Sequence, residues 1–226
     1  MDLLKNGKTK DVYLLPDGNY LLKFKDTVTK NASGEFDPGG NQVGGSVAGV
    51  GQGTLMMSVY FFELLEKQGV KTHYVSSDLS KQEMVVKAAE AFGQGLEFVL
   101  RYKAAGSFTR RYGMYVRDGD ELPKIFEVTL KDDAREDPPV TADMLDAFKL
   151  LTPAQYDWIK NQTIKICDII KAELEKRGME LFDIKIEFGM VDGEITLIDE
   201  VGPGNMRVYI NKDQKLDYAG LSSRIQ

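Results

Sequence analysis

The sequence has one cysteine, Cys167, and one histidine, His73, among its 226 residues. An internal disulfide needs two cysteines, and structural zinc sites need several cysteine or histidine ligands, so both are excluded. The chain also lacks an excess of basic side chains, because 29 lysines and arginines stand against 35 aspartates and glutamates, giving a formal charge of -6. A protein that coats nucleic acid needs a basic surface, so nucleic acid is not an expected partner.

Long apolar runs are missing as well. No run approaches the ~18 apolar residues of a membrane span, and the first seven residues lack the apolar core of a signal peptide. We therefore expect a cytoplasmic protein with no membrane partner. Hydrophobic residues make up 42% of the chain, which is ordinary for a globular protein. With so little cysteine and histidine, any metal is expected to be a hard cation held by carboxylates.

Strand-like segments dominate the first part of the chain. The first 25 residues predict a β-hairpin that turns at residues 16–19, where proline, aspartate and glycine favour a reversal. Eight glycines fall between Gly34 and Gly53, so residues 31–54 are predicted to form a long mobile loop. Thr54 is then the expected N-cap of a helix that ends near Gln68. Further strands are predicted at residues 71–76, 83–88, 97–102 and 125–130.

Helices follow after the proline pair at residues 138 and 139. Thr141 is the expected cap of a short helix, and Thr152 followed by Pro153 opens a longer helix that ends at Gly178. Cys167 lies on that helix and is expected to be a buried core residue. Two strands, 181–188 and 194–201, complete the pattern. Strands that precede helices, rather than alternate with them, predict an α+β fold.

The last two predicted strands are the most informative stretch. Alternation along the first of them puts Lys185 and Glu187 on one face. A three-residue loop between the strands would pair Met190 with Glu194 and bring Asp199 onto that same face, opposite Lys185. A two-residue loop would turn Asp199 to the other face, so this expectation depends on the turn.

Two neighbouring carboxylates repel each other unless a cation lies between them. The pair Glu187 and Asp199 is therefore typical of Mg²⁺ bound together with nucleotide phosphates. Lys185 beside them would neutralise a carboxylate or a phosphate of a substrate. A solvated sheet face with cross-strand ion pairs has the same spacing, and spacing alone leaves both interpretations open.

Two basic segments are candidates for anion binding. Lys8 and Lys10 flank a polar turn that could hold phosphates or could simply precede a surface hairpin. In residues 101–111, four cations and Ser107 surround a small alanine–alanine–glycine sequence, where a ligand can approach the backbone. In an acidic protein such a cluster indicates an anion site, although a charged loop is the alternative.

Taken in order, these segments resemble the SAICAR synthetase family of purine biosynthesis. The resemblance runs from Gly7 to about Tyr209. It rests on six blocks, which are residues 7–10 with Tyr13, 69–73, 101–111, 130–138, 183–189 and 199–207. No single block would be convincing, but six ordered blocks at the family's spacing are specific.

The resemblance implies a two-lobed fold with antiparallel sheets and an ATP-grasp-like C-terminal lobe. We expect residues 1–88 to form a β-rich lobe with the glycine-rich loop, and residues 89–226 to form the lobe with the carboxylate hairpin. The implied activity is ATP- and Mg²⁺-dependent ligation, in which the carboxylate of carboxyaminoimidazole ribonucleotide is joined to the amine of L-aspartate. The expected partners are small-molecule substrates, and the family favours a homo-oligomer.

The resemblance also implies roles for individual residues. The expected ATP-binding residues are Lys8, Lys10, Lys87, Glu187 and Asp199, of which the two carboxylates hold Mg²⁺ and the three lysines contact the phosphates. The expected substrate-binding residues are Arg101, Ser107 and Arg207 at the substrate's phosphate and Lys185 at its carboxylate. Lys185, Arg207 and Lys10 are the expected catalytic residues.

Several positions depart from the family pattern. Gln52 stands where the family has lysine, Tyr102 where it has asparagine, Glu136 where it has histidine, and Gly204 where it has aspartate. These changes fall in segments that bind the imidazole nucleotide and aspartate in the family. They leave three alternatives open: a divergent paralogue that joins a different acid and amine, a phosphotransferase, and a nucleotide-binding protein without turnover.

Overall fold

The computed structural model describes residues 1–30, 34, 36–38, 40, 42–211 and 214–225. Its elements in chain order are β1 (Asp2–Asn6), β2 (Lys10–Leu14), β3 (Tyr20–Phe24), β4 (Thr27–Lys30), β5 (Gln42–Ser46), α1 (Val50–Lys67), β6 (Tyr74–Asp78), β7 (Glu83–Val86), β8 (Glu90–Ala91), β9 (Leu96–Lys103), α2 (Ser107–Tyr112), β10 (Glu121–Leu130), a 3₁₀ turn (Asp133–Arg135), β11 (Pro139–Val140), α3 (Ala142–Ala147), α4 (Pro153–Glu175), β12 (Glu180–Val191), β13 (Glu194–Ile198), β14 (Met206–Ile210), β15 (Gln214–Lys215) and α5 (Tyr218–Ile225). The mixture of helices with antiparallel sheets is the predicted α+β class.

The chain divides into two compact units. The first contains Met1–Ala89, Glu200–Asn205 and the described residues from Lys215 onward, and the second contains the described residues of Glu90–Asp199 and Met206–Gln214. We expected a single boundary after residue 88, whereas two later segments group with the first unit. No helix among the described residues is long and apolar enough to cross a membrane.

The first unit is built on a five-stranded antiparallel sheet in the order β1-β2-β3-β7-β6. Helix α1 buries Phe61, Phe62 and Leu65 completely, and α5 packs against α1. The two helices approach closely, because a Cβ on Gly53 would lie 2.6 Å from the Ser222 hydroxyl. The predicted N-terminal hairpin is confirmed as β2 and β3, and the edge strand β1 was not predicted.

The glycine-rich segment is more structured than predicted. Residues 31–33, 35, 39 and 41 lie outside the described residues, but β5 pairs with β4, so a mobile loop over the whole of 31–54 is wrong. Helix α1 also begins before Thr54. Its N-cap position is Gly49, with φ of 84°, and the Asp26 carboxylate accepts hydrogen bonds from the backbone N–H groups of Gly49 (3.1 Å) and Gly51 (2.9 Å). The capping carboxylate is distant in sequence, so a local cap rule could not find it.

The second unit contains a larger sheet in the order β11-β10-β9-β12-β14-β15, with β13 and β8 also paired to β12. Helix α4 covers one face, where Ile159, Ile166 and Ile170 are completely buried. Phe98 and Phe188 meet edge to face with ring centroids 5.5 Å apart. Cys167 is buried on α4, as predicted, and burial raises the pKa of its thiol.

The predicted helix caps are confirmed in the second unit. The Thr141 hydroxyl accepts from the Met144 N–H at 3.3 Å at the start of α3. At the start of α4, Thr152 and Gln155 form a reciprocal capping box with Pro153 in the first turn. Each cap satisfies N–H groups that the helix itself leaves without an acceptor.

Candidate functional site

The face of the second sheet that α4 does not cover carries charged side chains. Successive side chains of a strand point to opposite faces of the sheet. The residues next to Phe98, Ile184 and Ile186 along their strands therefore project away from α4. The residues that share this face, here called the polar face, are Glu97 and Arg101 of β9, Glu127 and Thr129 of β10 with Lys131 just beyond it, Asp183, Lys185 and Glu187 of β12, and Arg207 of β14. Most are buried, and buried charges need partners to offset the cost of leaving water.

One end of the polar face holds an arginine cluster, which we define as Arg101, Arg111, Arg207, Asp183 and Glu127. The Asp183 carboxylate accepts from the Nη1 atoms of both Arg101 (2.6 Å) and Arg207 (2.8 Å). Glu127 accepts from Arg101 Nε at 2.5 Å through one oxygen and from Arg111 Nη2 at 2.5 Å through the other. Two carboxylates therefore fix three guanidinium groups.

The arginine cluster touches the start of helix α2. Arg101 Nη2 donates to the Ser107 hydroxyl at 3.2 Å, and its guanidinium lies over the Phe108 ring at 5.3 Å from the centroid. Gly106, immediately before α2, has φ of 57°, and a Cβ there would lie 2.3 Å from Arg207 Cζ. Only glycine lets the Arg207 guanidinium approach the backbone this closely.

This end of the polar face is suited to an anion. Three guanidiniums and two carboxylates leave one net positive charge. Arg101 has five N–H donors, and among the described residues only one of them, on Nη2, has no acceptor. That N–H lies beside the Ser107 hydroxyl, which accepts from Arg101 and keeps its own hydrogen for donation. Adjacent N–H and O–H donors at a positive site are the chemistry that binds phosphate.

The other end of the polar face brings Glu187 and Asp199 together, although not by the predicted register. Val191, rather than Met190, pairs with Glu194 across a two-residue turn, so the predicted three-residue loop is wrong. Both turn residues have positive φ, 51° and 80°, as in the type I′ turns that suit the twist of a hairpin. As a result Glu187 lies opposite Ile198, and the predicted pairing of Lys185 with Asp199 is also wrong.

The charge of Asp199 nevertheless affects the pKa of Glu187, because the regular alternation of strand β13 ends before Asp199. Strand β13 stops at Ile198, and Asp199 has φ of 70°, which turns the chain out of the strand. Burial, followed by the charge of Asp199, raises the pKa of Glu187. Lys131 Nζ donates to Glu187 at 2.5 Å, and although burial lowers the pKa of this lysine, Glu187 and Asp199 outweigh it and raise the value.

These three residues, here called the carboxylate end, carry one excess negative charge. Lys131 and Lys185 both favour ionised Glu187, but burial and the charge of Asp199 outweigh them and raise its pKa, so the carboxylate pair favours a further proton or cation. Among the described residues no group of three or more aspartate, glutamate, cysteine or histidine side chains could hold a metal. Two carboxylate oxygens with phosphate oxygens form the ligand set that Mg²⁺ prefers in nucleotide sites.

Lys185 lies between the two ends. Its Nζ donates to Glu97 at 2.6 Å, and the Thr129 hydroxyl donates to the other Glu97 oxygen at 3.0 Å. Burial lowers the pKa of Lys185, but the charges of Glu97 and Glu187 raise it overall, so the lysine is a cation at neutral pH. Asp137 lies near Glu97 and Lys185, and burial with the charge of Glu97 raises its pKa.

The three lysines predicted to contact ATP phosphates lie in the first unit. Lys10 begins β2, with its ammonium paired to Glu200 and lying over the Phe24 ring at 5.9 Å. Lys8 precedes that strand, and its carbonyl accepts from the Thr27 hydroxyl at 2.5 Å. Lys87 follows β7. The register places Lys10 and Lys87 at opposite ends of β3, which are about 13 Å apart along a five-residue strand.

The structure therefore sorts the predicted site residues. It brings Arg101, Ser107 and Arg207 together, and it brings Lys185 and Asp199 near Glu187. Sequence reasoning placed Arg111 among the cations of a candidate anion site, and it assigned no role to the other residues that complete these groups: Glu97, Glu127, Lys131, Asp137 and Asp183. The signal that could have found Glu97 and Glu127 is alternation on the predicted strands 97–102 and 125–130, where each acidic residue shares a face with the residues two positions away.

One departure from the family pattern lies outside the polar face. The Tyr102 hydroxyl donates to Asp168 of α4 at 2.9 Å, so this side chain packs on the opposite side of β9 from Arg101. Tyr102 therefore does not alter the groups that face a ligand at the arginine cluster.

Two other departures from the family pattern are exposed side chains. The Glu136 carboxylate lies 3.8 Å from Arg110. Gln52 donates to the Leu79 carbonyl at 3.4 Å.

Known proteins resemble this chain over nearly its whole length. The family model described as SAICAR synthetase matches residues 3–222. A phosphoribosylaminoimidazole-succinocarboxamide synthase from Clostridium tetani is 52% identical over 211 residues, which cover 92% of each protein. A solved SAICAR synthetase in complex with ADP has a TM-score of 0.86 and 28% identity, covering 98% of this chain and 97% of that one. The corresponding synthase from Ehrlichia chaffeensis, at 24% identity and 99% and 98% coverage, has the same fold with a TM-score of 0.88.

Proposed function

Because the chain belongs to the SAICAR synthetase family, we propose that it is an ATP-dependent carbon–nitrogen ligase of de novo purine biosynthesis. It joins carboxyaminoimidazole ribonucleotide to L-aspartate and forms SAICAR, ADP and phosphate. The observation that carries the proposal is the polar face, on which strand β12 contributes both to a net positive arginine cluster and to a net negative carboxylate end. A phosphorylated substrate and a metal–nucleotide pair need these two kinds of surface.

The reaction explains why both surfaces are required. A carboxylate is a poor acyl donor because its leaving group would be oxide. Transfer of the γ-phosphoryl group of ATP to the substrate carboxylate forms an acyl phosphate and ADP. The aspartate amine then attacks the carbonyl carbon, and phosphate leaves through a tetrahedral oxyanion. The protein contributes mainly by positioning the reactants and by neutralising negative charge.

The arginine cluster is the proposed site for the phosphate of the ribonucleotide. Arg101 and Ser107 offer adjacent N–H and O–H donors, and Arg207 adds a second guanidinium held by Asp183. Because the guanidiniums are already ordered by carboxylates, little conformational entropy is lost when a phosphate binds. Lys185 is proposed to face the substrate carboxylate, where its positive charge reduces repulsion between that carboxylate and the incoming phosphoryl group.

The proposed nucleotide-binding residues are Lys8, Lys10, Lys87, Glu187 and Asp199. Mg²⁺, when bound to Glu187 and Asp199, supplies positive charge to the phosphate oxygens. The excess negative charge of the carboxylate end fits this role. Lys10, paired with Glu200, is the proposed catalytic lysine at the transferred phosphoryl group. Lys87 adjoins the opposite end of β3, so we assign it to a different part of the nucleotide from Lys10.

The similarity to named relatives favours this activity over a paralogue, a phosphotransferase or a protein without turnover. The C. tetani synthase shares half of its residues with this chain over 92% of both lengths. Purine synthesis from ATP and aspartate is proposed to occur in the cytoplasm, and a homo-oligomer is proposed from the family resemblance.

The test is a coupled assay of the purified protein with Mg-ATP, L-aspartate and carboxyaminoimidazole ribonucleotide. We expect one ADP and one SAICAR for each ribonucleotide consumed, and no turnover after chelation of the metal. ADP formation without amide, or with a phosphorylated product, would support the phosphotransferase. The absence of ADP with all three substrates present would overturn the ligase assignment.

A further inference from the structure

We propose that Glu127 is a positioning residue for substrate binding, which orients Arg101 and Arg111 so that their remaining donors face the substrate phosphate. This inference rests on the proposed function, because it takes the arginine cluster as the phosphate site. It is an additional role, since Glu127 is not one of the residues expected to touch ATP, the ribonucleotide or aspartate.

The contacts of Glu127 are directed at the orientation of the guanidiniums. One carboxylate oxygen accepts from Arg101 Nε at 2.5 Å and the other accepts from Arg111 Nη2 at 2.5 Å. Its side chain is about 10% exposed, whereas Arg111 is 24% exposed. A buried carboxylate that divides its two oxygens between two arginines fixes the plane of each guanidinium.

The position of Glu127 decides which edge of Arg101 remains for a ligand. Glu127 occupies Nε, and Asp183 with the Ala105 carbonyl occupies Nη1, at 2.6 and 3.5 Å. The remaining N–H is therefore on Nη2, next to Ser107. Without Glu127, rotation about the side-chain torsions would let Nε or Nη1 compete for the same acceptors. The carboxylate thus selects the donor pair that a phosphate oxygen meets.

The second oxygen of Glu127 brings Arg111 into the same arrangement. Arg111 lies on α2, one turn after Ser107, and its Nε is buried with no acceptor among the described residues. A buried N–H without an acceptor is costly, and because this atom is closed to solvent, Arg111 can meet a ligand only through its terminal N–H groups. The carboxylate therefore links the strand that carries Glu127 to the helix whose first residue is Ser107.

An electrostatic role and a positioning role for Glu127 predict opposite changes in KM for the ribonucleotide when its charge is removed. Glu127→Gln removes one negative charge and changes the net charge of the cluster from +1 to +2. If charge alone mattered, a phosphate would bind more tightly and KM would fall. If Glu127 acts by orientation, KM for the ribonucleotide rises, because the glutamine amide presents N–H groups to one of the two guanidiniums.

The experiment compares wild type and Glu127→Gln with the ribonucleotide and with its nucleoside, which lacks the phosphate. We expect KM for the ribonucleotide to rise roughly tenfold to a hundredfold, as when the outer partner of a ligating group is removed, with KM for ATP unchanged. With the nucleoside, kcat/KM of the variant should equal that of wild type, since the oriented donors have no phosphate to bind. Glu121→Gln, an exposed position on the same strand, is the matched control.

A lower or unchanged KM for the ribonucleotide would overturn the inference, and so would an equal loss on the nucleoside, which would indicate a merely structural role. If Glu127→Gln does not fold, Glu127→Asp replaces it. That variant keeps the charge but reaches one guanidinium instead of two, and the same selective loss is expected. Wild-type protein that fails to use the ribonucleotide would reject the proposed function instead, so the two failures are distinguishable.

Discussion

The two ends of the polar face differ in the sign of their excess charge, although strand β12 contributes a residue to each. At the arginine cluster three guanidiniums outnumber two carboxylates, and at the carboxylate end Glu187 and Asp199 outnumber Lys131. Strand β12 contributes Asp183 to the first and Glu187 to the second, four residues or about 13 Å apart. A single pleated strand can therefore present an anion site and a cation site at a fixed separation.

The two ends also use different basic residues. Arginine has a planar fork that is fixed by several hydrogen bonds at once, and Asp183 and Glu127 use this property to hold Arg101. Lys131 and Lys185 are point charges on flexible stems, and within the described part of the chain each has a single close carboxylate contact, to Glu187 and Glu97 respectively. The arginine cluster is therefore preorganised, whereas the flexible stem of each lysine lets its ammonium group turn towards a ligand.

The largest effect is expected when the arginine cluster loses its shared carboxylate. Asp183→Asn leaves the buried guanidiniums of Arg101 and Arg207 without their common anion, and breaking buried ion pairs of this kind costs about 3–5 kcal/mol. Urea unfolding monitored by circular dichroism measures the loss. Asp192→Asn, in the exposed hairpin turn, is the matched control. A variant within about 1 kcal/mol of wild type would show that the pairs do not stabilise the fold.

The carboxylate end should affect turnover more than stability. Glu187→Gln removes one proposed metal ligand, and ADP formation should fall about a hundredfold or more, because a bound metal supplies several kcal/mol of charge stabilisation. The pKa of Glu187 in the folded protein is raised above its ordinary value of 4.5. At a pH above the raised pKa, ionised Glu187 lowers the free energy of unfolding, and at a pH below 4.5 this loss of stability disappears. We therefore expect no loss in urea midpoint at neutral pH.

Steady-state kinetics across a Mg²⁺ titration would measure this effect, with the exposed Glu194→Gln on the neighbouring strand as the control. KM for the ribonucleotide should stay unchanged, because the arginine cluster is intact. Unaltered turnover in Glu187→Gln would contradict its assigned role and remove the distinction between the two ends.

The smallest effect is expected from a change that adds one methyl group. Gly106→Ala places a Cβ 2.3 Å from Arg207 Cζ, which must displace the guanidinium and should raise KM for the ribonucleotide roughly tenfold, the effect of weakening one charged hydrogen bond. Gly119→Ala is a close control, because it has the same positive sign of φ and no atom within 4 Å of the added Cβ. Both variants carry backbone strain from their positive φ, and ψ of −127° adds to the strain at Gly106, so the clash is measured by KM for the ribonucleotide and not by stability. Equal KM values for the two would mean that close approach of Arg207 to the backbone is unimportant.

Local signals predicted much of the fold. The caps at Thr141 and Thr152 follow from side chains within three residues of the helix start, and both are confirmed. The start of α1 was predicted wrongly, since its capping carboxylate, Asp26, lies more than twenty residues away. Pleat alternation correctly placed Lys185 and Glu187 on one face, but turn length cannot be read from a sequence that permits both two- and three-residue loops.

The sequence by itself determined the residue types, their alternation along each strand and the six blocks by which the chain resembles its family. These are local properties, and they were sufficient to select Arg101, Arg207 and Glu187. Only the tertiary structure decided which charges share partners, that Glu127 joins two arginines, and that Asp199 leaves its strand to act on Glu187. The physical reason is that charge pairing depends on the register between strands distant in sequence and on single backbone angles, and neither is encoded in the spacing of residues.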